Sequence, residues 1–412
     1  MMKSFLADYP LPEEIRKKLS NNHLPEFREA NAHVHTPYSF SSFPDMETIF
    51  SMAVSENIAV LGINDFYVAD GFREFNDRSL SSRVFPLFNI EFMGLLKEEQ
   101  KKGIRINDPN NPGRIYFCGK GLDFPFNPGF LYSLKLKSVV RESQTQIKAM
   151  ISKLNRLIEA VNPSLTLSYD KIKSRHARDM VRERHLARAL RTLVTENFPD
   201  PGDQLSFLEK IYGGKKSAAD PADHARLENE IRSNLLKSGG AAFVKEDDDS
   251  FPELPSIIKI ILKAGGIPCY PVLLDDPSGN FTEFERDRGK LYKSLSDKKI
   301  ACIELIPGRN SLPVLSDFVH FFHDRNFIVT FGTEHNTPGL APLTVTAKGD
   351  EQLGNDLKQI AWEGVCVIAA HQYLRAKGMQ GYIMPDGKPS FDQKRELTYL
   401  GKLVIEFFLS KN

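Results

Sequence analysis

Two of the ten histidines of this chain stand one residue apart, in the segment ANAHVHTPY near its start. On a β-strand the side chains of His33 and His35 would point to the same face, because strand residues alternate. Neutral imidazole binds zinc, iron and manganese at pH 7. The pair therefore indicates one half of a metal site. The alternative is that both are surface histidines, or that one lies in the core beside a partner.

Carboxylates stand at the ends of several apolar runs. Asp65 closes AVLGIND, Glu91 lies at the end of FPLFNIEF, and Glu304 follows KIACI. A carboxylate in an apolar run is costly to bury unless it is paired or coordinated. We therefore interpret Glu91 as a metal ligand or a member of a structural ion pair. For Asp65 three roles stay open: a metal ligand, a base for a bound water or a helix N-cap. Glu304 is a candidate for orienting a ligand.

Short apolar runs alternate with amphipathic helical stretches before and after the middle of the chain. This pattern predicts βαβ units around a parallel sheet, in which reactive residues gather at the carboxyl ends of the strands. The middle is charged and amphipathic with a helical period. We therefore predict an α/β protein in which residues 1–133 and 251–412 form a barrel with closing C-terminal helices, and residues 134–250 form a helical insertion.

The composition argues against several classes of function. The 412 residues include 54 basic and 53 acidic side chains, and the net charge of +1 disfavours nucleic acid or an anionic membrane as a partner. The N-terminus lacks the apolar core of a signal peptide, and no stretch reaches the roughly 18 apolar residues of a membrane span. The four cysteines are scattered, as in a reducing compartment. We predict a cytoplasmic protein and leave homo-oligomer formation open.

Four segments resemble, in order and spacing, the motifs of the PHP (polymerase and histidinol phosphatase) superfamily. HVHTPYSFS resembles its H-x-H-T-x-x-S, LGINDFYVADG its T-D-H-x-x-x-x-G, FPLFNIEF its strand ending in G-x-E, and TFGTEHN its late G-S-D-x-H. The resemblance is close from Ala30 to Glu91 and looser from Gly265 to Pro338. It implies a distorted (β/α)7, TIM-like barrel that binds two or three Zn, Mn or Fe ions and hydrolyses phosphate esters.

The chain departs from these motifs at positions where the family has metal ligands. Phe66 and Asn336 stand where the family has histidine, and Tyr116 and Tyr270 occupy strands that often supply one. Phenylalanine cannot bind a metal. We therefore expect one or two divalent ions (Zn, Mn or Fe). The resemblance and the residue types together give these candidate ligands: His33, His35, Asp65, Glu91, Glu334 and His335.

Four residues are candidates for contact with a substrate. Arg184 and His185 lie in RHLARAL, which is similar to a stretch of the small phosphoesterase branch, and the alternative is a solvated helix face. Lys120 and Arg309 follow strands and could bind an anion, or be ordinary turn and surface residues. With Asp65 as base and Arg184 and His185 as catalytic residues, the leading hypothesis is a metal-dependent phosphoesterase acting on a small anionic phosphorylated metabolite. The alternative is a non-catalytic PHP-like barrel that binds a ligand or a partner, and a nuclease is disfavoured.

Overall fold

The computed structural model describes residues 3–19, 24–247, 250–276 and 278–410. Its centre is one seven-stranded sheet in which the strands neighbour one another in chain order. They are β1 (Ala30–Val34), β2 (Val60–Phe66), β3 (Phe85–Leu95), β4 (Arg114–Lys120), β5 (Ile267–Val272), β6 (Cys302–Leu305) and β7 (Ile328–Phe331). A parallel bridge between Val34 and Glu334 joins the two edges, so the sheet is nearly a closed barrel. The prediction of an α/β protein with a distorted, TIM-like barrel is confirmed.

One strand runs against the others. β4 is antiparallel to both β3 and β5, whereas the other neighbouring pairs are parallel. We call the end where the parallel strands begin the floor, and the end where they finish the mouth. Because β4 is reversed, its carboxyl end lies at the floor, where Lys120 pairs with Ile267 at the start of β5. The sequence pattern predicted a parallel sheet and did not show this reversal.

Helices surround the barrel and extend from it. They are α1 (Pro12–Leu19), α2 (Met46–Ser55), α3 (Phe72–Ser82), α4 (Lys97–Lys101), α5 (Phe130–Val161), α6 (Tyr169–His176), α7 (Glu183–Asn197), α8 (Pro201–Ile211), α9 (His224–Ile231), α10 (Leu254–Lys263), α11 (Arg288–Asp297), α12 (Leu312–His323), α13 (Asn355–Ala376) and α14 (Lys394–Leu409). Several begin at an aspartate that accepts a hydrogen bond from a free backbone N–H, as Asp45 does before α2. Asp200 does the same before α8, and Pro201 follows it in the first helical turn.

The floor is covered by α13 and α14. α13 is buried on almost all sides because it lies between the strands and α14. Gly401 permits this close packing, since a Cβ atom there would lie only 1.8 Å from the carbonyl oxygen of Cys366. The floor is thus closed by apolar packing, and a site open to solvent belongs at the mouth.

The helical middle has an apolar core of its own. Buried side chains such as Leu154 of α5, Leu190 of α7 and Leu227 of α9 belong to a cluster that is separate from those of the barrel. The division into residues 1–133, 134–250 and 251–412 stays a prediction. Within the described ranges, none of the helices has the length and apolar character needed to cross a membrane.

Candidate metal centre

Three buried side chains place metal-binding atoms close together inside the barrel. His33 Nε2 lies 3.3 Å from His35 Nε2, and Glu91 Oε2 lies 3.2 Å from His35 Nε2 and 3.8 Å from His33 Nε2. Four ligands around a zinc ion at about 2.0–2.1 Å are themselves about 3.4 Å apart. The separations in the structure match that value. The chemistry and spacing of these donors therefore fit one divalent ion.

His33 is oriented by a carboxylate behind it. Its Nδ1 donates to Glu304 Oε1 at 2.7 Å, which leaves the Nε2 lone pair facing His35 and Glu91. The Asn64 amide nitrogen lies 2.9 Å from Nε2 and donates to Cys118 Sγ at 3.3 Å. Cys118 also forms a second possible ligand group with His33 and Glu304. The sequence alone did not indicate that Cys118 of β4 or Asn64 belongs to the site.

Lys120 occupies the interior of the barrel below His33. Its ammonium lies 2.5 Å from Glu304 Oε2 and 3.3 Å from the carbonyl oxygen of Ala32, and the side chain is fully buried. Burial alone would raise the pKa of Glu304, but Lys120 and His33 lower it to about 2. The structure therefore does not place Lys120 where a substrate could reach it, because the reversed β4 directs it to the floor.

Burial controls the charge of the other two donors. It lowers the pKa of His35 to about 4, so this imidazole is neutral at pH 7. It raises the pKa of Glu91 to about 8, although His33 acts in the opposite direction. A bound cation would stabilise the ionised form of a carboxyl group whose pKa is raised in this way.

Asp65 lies outside the donor group. Its carboxylate accepts from the Thr36 backbone N–H at 2.8 Å, the Thr36 hydroxyl at 2.5 Å and the Ser39 hydroxyl at 2.6 Å. Because β2 alternates, Asn64 and Phe66 face the interior of the barrel and Asp65 faces the loop after β1. Asp65 therefore anchors that loop through its hydrogen bonds, and its carboxylate does not lie among the metal-binding atoms.

Glu334 lies near the cluster but is engaged by other groups. Its Oε2 accepts from the Arg309 guanidinium and from the Asn336 amide nitrogen, the latter at 2.7 Å. Burial alone would raise the pKa of Glu334, but Arg309 and the nearby His33 and His35 hold it below its usual value. The structure thus gives Arg309 a carboxylate partner in place of a free anion site.

His335 points away from the cluster. Its Nδ1 accepts from the Thr333 hydroxyl at 2.8 Å, and its Nε2 donates to the carbonyl oxygen of Ala341 at 2.8 Å. The ring stacks on Phe43 with 4.6 Å between centroids. Both ring nitrogens are used by the fold, so His335 is not in a position to replace a missing ligand.

Three positions at which the family has, or often has, histidine hold aromatic residues in this chain. Phe66 stacks on His35, with 4.7 Å between centroids and 18° between planes. Tyr116 lies next to it, at 6.2 Å. Tyr270 is directed elsewhere, and its hydroxyl donates to Glu285 at 2.7 Å. Aromatic packing thus fills the space beside His35.

The helical insertion reaches the mouth through the start of α7. The Arg182 guanidinium lies 4.3 Å from the centre of the Phe66 ring, on which His35 also packs. His185 is buried, its Nδ1 accepts from the Arg182 backbone N–H at 2.9 Å, and its ring contacts Phe40. His185 is therefore used to begin α7, and Arg182 is the side chain that faces the centre. The sequence gave no periodic signal for Arg182, which directly precedes the helix.

Arg184 is a desolvated cation near the same mouth. It donates to Asn229 Oδ1 at 3.3 Å, and its guanidinium lies 5.6 Å from the Phe40 ring centre. Burial, with a contribution from Arg232, lowers its pKa to about 9. In the described part of the chain, neither Arg182 nor Arg184 forms an ion pair with a carboxylate. A pair of such cations is suited to an anion supplied by a ligand.

No protein-family model matches the chain, and no curated protein matches it by sequence. Several solved structures match its fold, among them the following two. A candidate metal-dependent phosphoesterase from Bifidobacterium adolescentis aligns with a TM-score of 0.52 and 13% identity, over 82% of this chain and 96% of that one. An amidohydrolase from Chromobacterium violaceum, whose structure holds sulfate and no metal, aligns with a TM-score of 0.51 and 15% identity, over 81% and 96%.

The chain therefore shares the fold of these two structures, a nearly closed seven-stranded α/β barrel. This agrees with the fold that the sequence motifs imply. At these identities the likeness shows the fold alone, and the side chains of the site decide the reaction.

Proposed function

We propose that this protein is a metal-dependent phosphoesterase that holds one divalent ion at His33, His35 and Glu91. The observation that carries the proposal is the separation of 3.2–3.8 Å among the three donor atoms, inside a barrel whose fold is similar to that of a candidate metal-dependent phosphoesterase. Two imidazoles and one carboxylate suit zinc, and manganese and iron are the other ions to test. When bound, such an ion lowers the pKa of a water to about 7 and so supplies a hydroxide.

The chain's own cations would bind the phosphate. Arg182 reaches the mouth beside Phe66, and Arg184 lies beside Phe40, whose ring also contacts His185. Guanidinium groups hold phosphate oxygens through paired hydrogen bonds and stabilise charge that develops on them. We therefore propose that Arg182 and Arg184 orient a small phosphorylated metabolite over the metal centre.

Glu334 is our candidate for the proton acceptor. Both hydrogen bonds of its carboxylate in the described structure are made by Oε2, so Oε1 is left for a water. The Arg309 guanidinium keeps the group ionised, as a base must be. We propose that Oε1 takes the proton of the attacking water. Asp65, with its three hydrogen bonds, would instead fix the loop that follows His35.

The test is metal analysis followed by an activity screen. Protein purified without chelator is analysed for Zn, Mn and Fe, and each ion is reloaded before phosphorylated metabolites are screened. We expect His33→Ala to lose both the metal and turnover. His320→Ala is the matched control, because His320 is a partly exposed histidine on α12 outside the cluster. A protein that neither retains nor rebinds these ions would contradict the proposal.

The non-catalytic alternative has no observation in its favour. Burial raises the pKa of Glu91 to about 8, and a bound cation would favour its ionised form, which supports a retained ion. The four cysteines are unpaired and buried, in keeping with our proposal that the enzyme works in the cytoplasm.

A further inference from the structure

A cavity of about 260 Å³ lies between the barrel and the helical insertion. Met93 lines this cavity and follows Glu91 by two residues on β3. Because strand residues alternate, the two side chains share a face and are about 7 Å apart along the strand. β3 runs from the floor to the mouth, so the cavity begins one step beyond the metal centre on the solvent side.

The barrel side of the cavity is aromatic and preformed. Tyr67 and Phe251 line it together with Met93. The Tyr67 hydroxyl donates to the carbonyl oxygen of Met93 at 2.8 Å, and the Arg114 guanidinium lies 4.5 Å from the centre of the Phe251 ring. These contacts fix both rings before any ligand arrives, so little ordering is needed on binding.

The opposite wall is polar, and the charges around the cavity are paired or exposed. Ser143 and Gln146 of α5 contribute uncharged polar groups. Glu246 pairs with Arg114 at 2.7 Å. Glu142 is 46% exposed and lies beside Arg141, and the other two charged lining residues, Lys245 and Asp247, are exposed. The cavity therefore offers apolar and hydrogen-bonding surface, and little that selects a charged group.

We propose that this cavity holds the leaving group of the phosphate ester, and that this group carries an uncharged ring. The proposal rests on the proposed function, which places the phosphate at the metal centre. A cavity of about 150 Å³ accommodates benzene. The larger volume here therefore suits a substituted ring or two fused rings, with its face on the aromatic wall.

The reaction with such a substrate balances as a hydrolysis. The water oxygen forms a bond to phosphorus while the ester bond from phosphorus to the leaving oxygen breaks. One proton of the water goes to the departing oxygen by way of the base, which releases the ring-bearing alcohol. Inorganic phosphate is the other product.

Ala149 gives a way to fill the cavity without disturbing the core. It lines the cavity and is exposed on α5, so Ala149→Trp should fold. Ala160→Trp is the matched control, because Ala160 is exposed on the same helix and does not line the cavity. We expect Ala149→Trp to raise KM for 1-naphthyl phosphate about tenfold and to leave KM for ethyl phosphate unchanged. Equal effects on the two esters, or none, would overturn the proposal.

Binding of 1-naphthol to the metal-free protein separates this proposal from the proposed function. 1-Naphthol carries the ring and no phosphate, and its fluorescence reports binding directly. We expect Kd to rise about tenfold in Ala149→Trp and to stay unchanged in Ala160→Trp. If the protein hydrolyses phosphate esters but 1-naphthol does not respond to Ala149→Trp, only the cavity proposal fails. If 1-naphthol responds as expected but no ester is hydrolysed, the ring site stands and the proposed function fails.

Discussion

Replacing Lys120 with methionine tests whether the ion pair behind the metal centre supports the fold. Methionine is similar in length but removes the ammonium that lies 2.5 Å from Glu304 Oε2. Glu304 is fully buried and would keep His33 at 2.7 Å and the Thr330 hydroxyl at 3.4 Å as its remaining partners. Removing one partner of a buried pair costs about 3–5 kcal/mol. We therefore expect Lys120→Met to lower the free energy of unfolding by about that amount.

The assay is urea unfolding of the protein held in chelator, so that metal binding does not add to the measured stability. Lys97→Met is the matched control, because Lys97 pairs with Glu253 at 3.4 Å on the surface and should change stability by less than about 1 kcal/mol. In the double variant Lys120→Met/Glu304→Gln the buried charge is gone, so its loss of stability should be smaller than the sum of the two single losses. A Lys120→Met variant as stable as the Lys97→Met control would show that the buried ion pair does not support the fold.

Three further predictions concern pH, catalysis and the setting of His35. Burial lowers the pKa of His371 to about 4, so the unfolded chain takes up a proton first and stability falls as the pH drops from about 6.5 to 4. Urea titrations across this window should show a shallower fall for His371→Gln, and an unchanged slope would exclude this histidine as a contributor. Glu334→Gln should lower kcat about a hundredfold and leave the metal content intact in elemental analysis, if the carboxylate is the base. Loss of the metal in that variant would instead make it a ligand. Phe66→Leu removes the ring that stacks on His35 at 4.7 Å, and should weaken cobalt(II) binding about tenfold in an absorption titration, whereas Phe66→Tyr should not. Equal affinities for Phe66→Leu and the wild type would show that stacking does not hold the imidazole.

The parts of the site that the sequence could predict are those fixed by short-range pattern. The spacing of His33 and His35, and the costly carboxylate of Glu91 in an apolar run, depend only on strand alternation and burial. The structure brings these three residues together. Strands that alternate with helices likewise predicted the α/β sheet, and the resemblance of the motifs implied that it forms a barrel.

The remaining features depend on contacts between distant segments. Lys120 ends a strand, but only the reversed direction of β4 shows that its end lies at the floor beside Glu304. His335 lies one residue from Glu334, and the left-handed backbone of both residues, with φ of 57° and 62°, turns the imidazole toward Ala341. Arg182 reaches Phe66 through the folding of the insertion, which no local period records. A single sequence carries no signal for such pairings.

A cobalt(II) titration measures directly whether His33, His35 and Glu91 hold one ion. The metal-free protein is titrated while the visible absorption of the ion is followed, and His35→Ala is titrated alongside the His320→Ala control. We expect one ion per chain with the absorption of a histidine- and carboxylate-bound site in the wild type and the control, and none in His35→Ala. No binding by the wild type, or equal binding by His35→Ala, would contradict it.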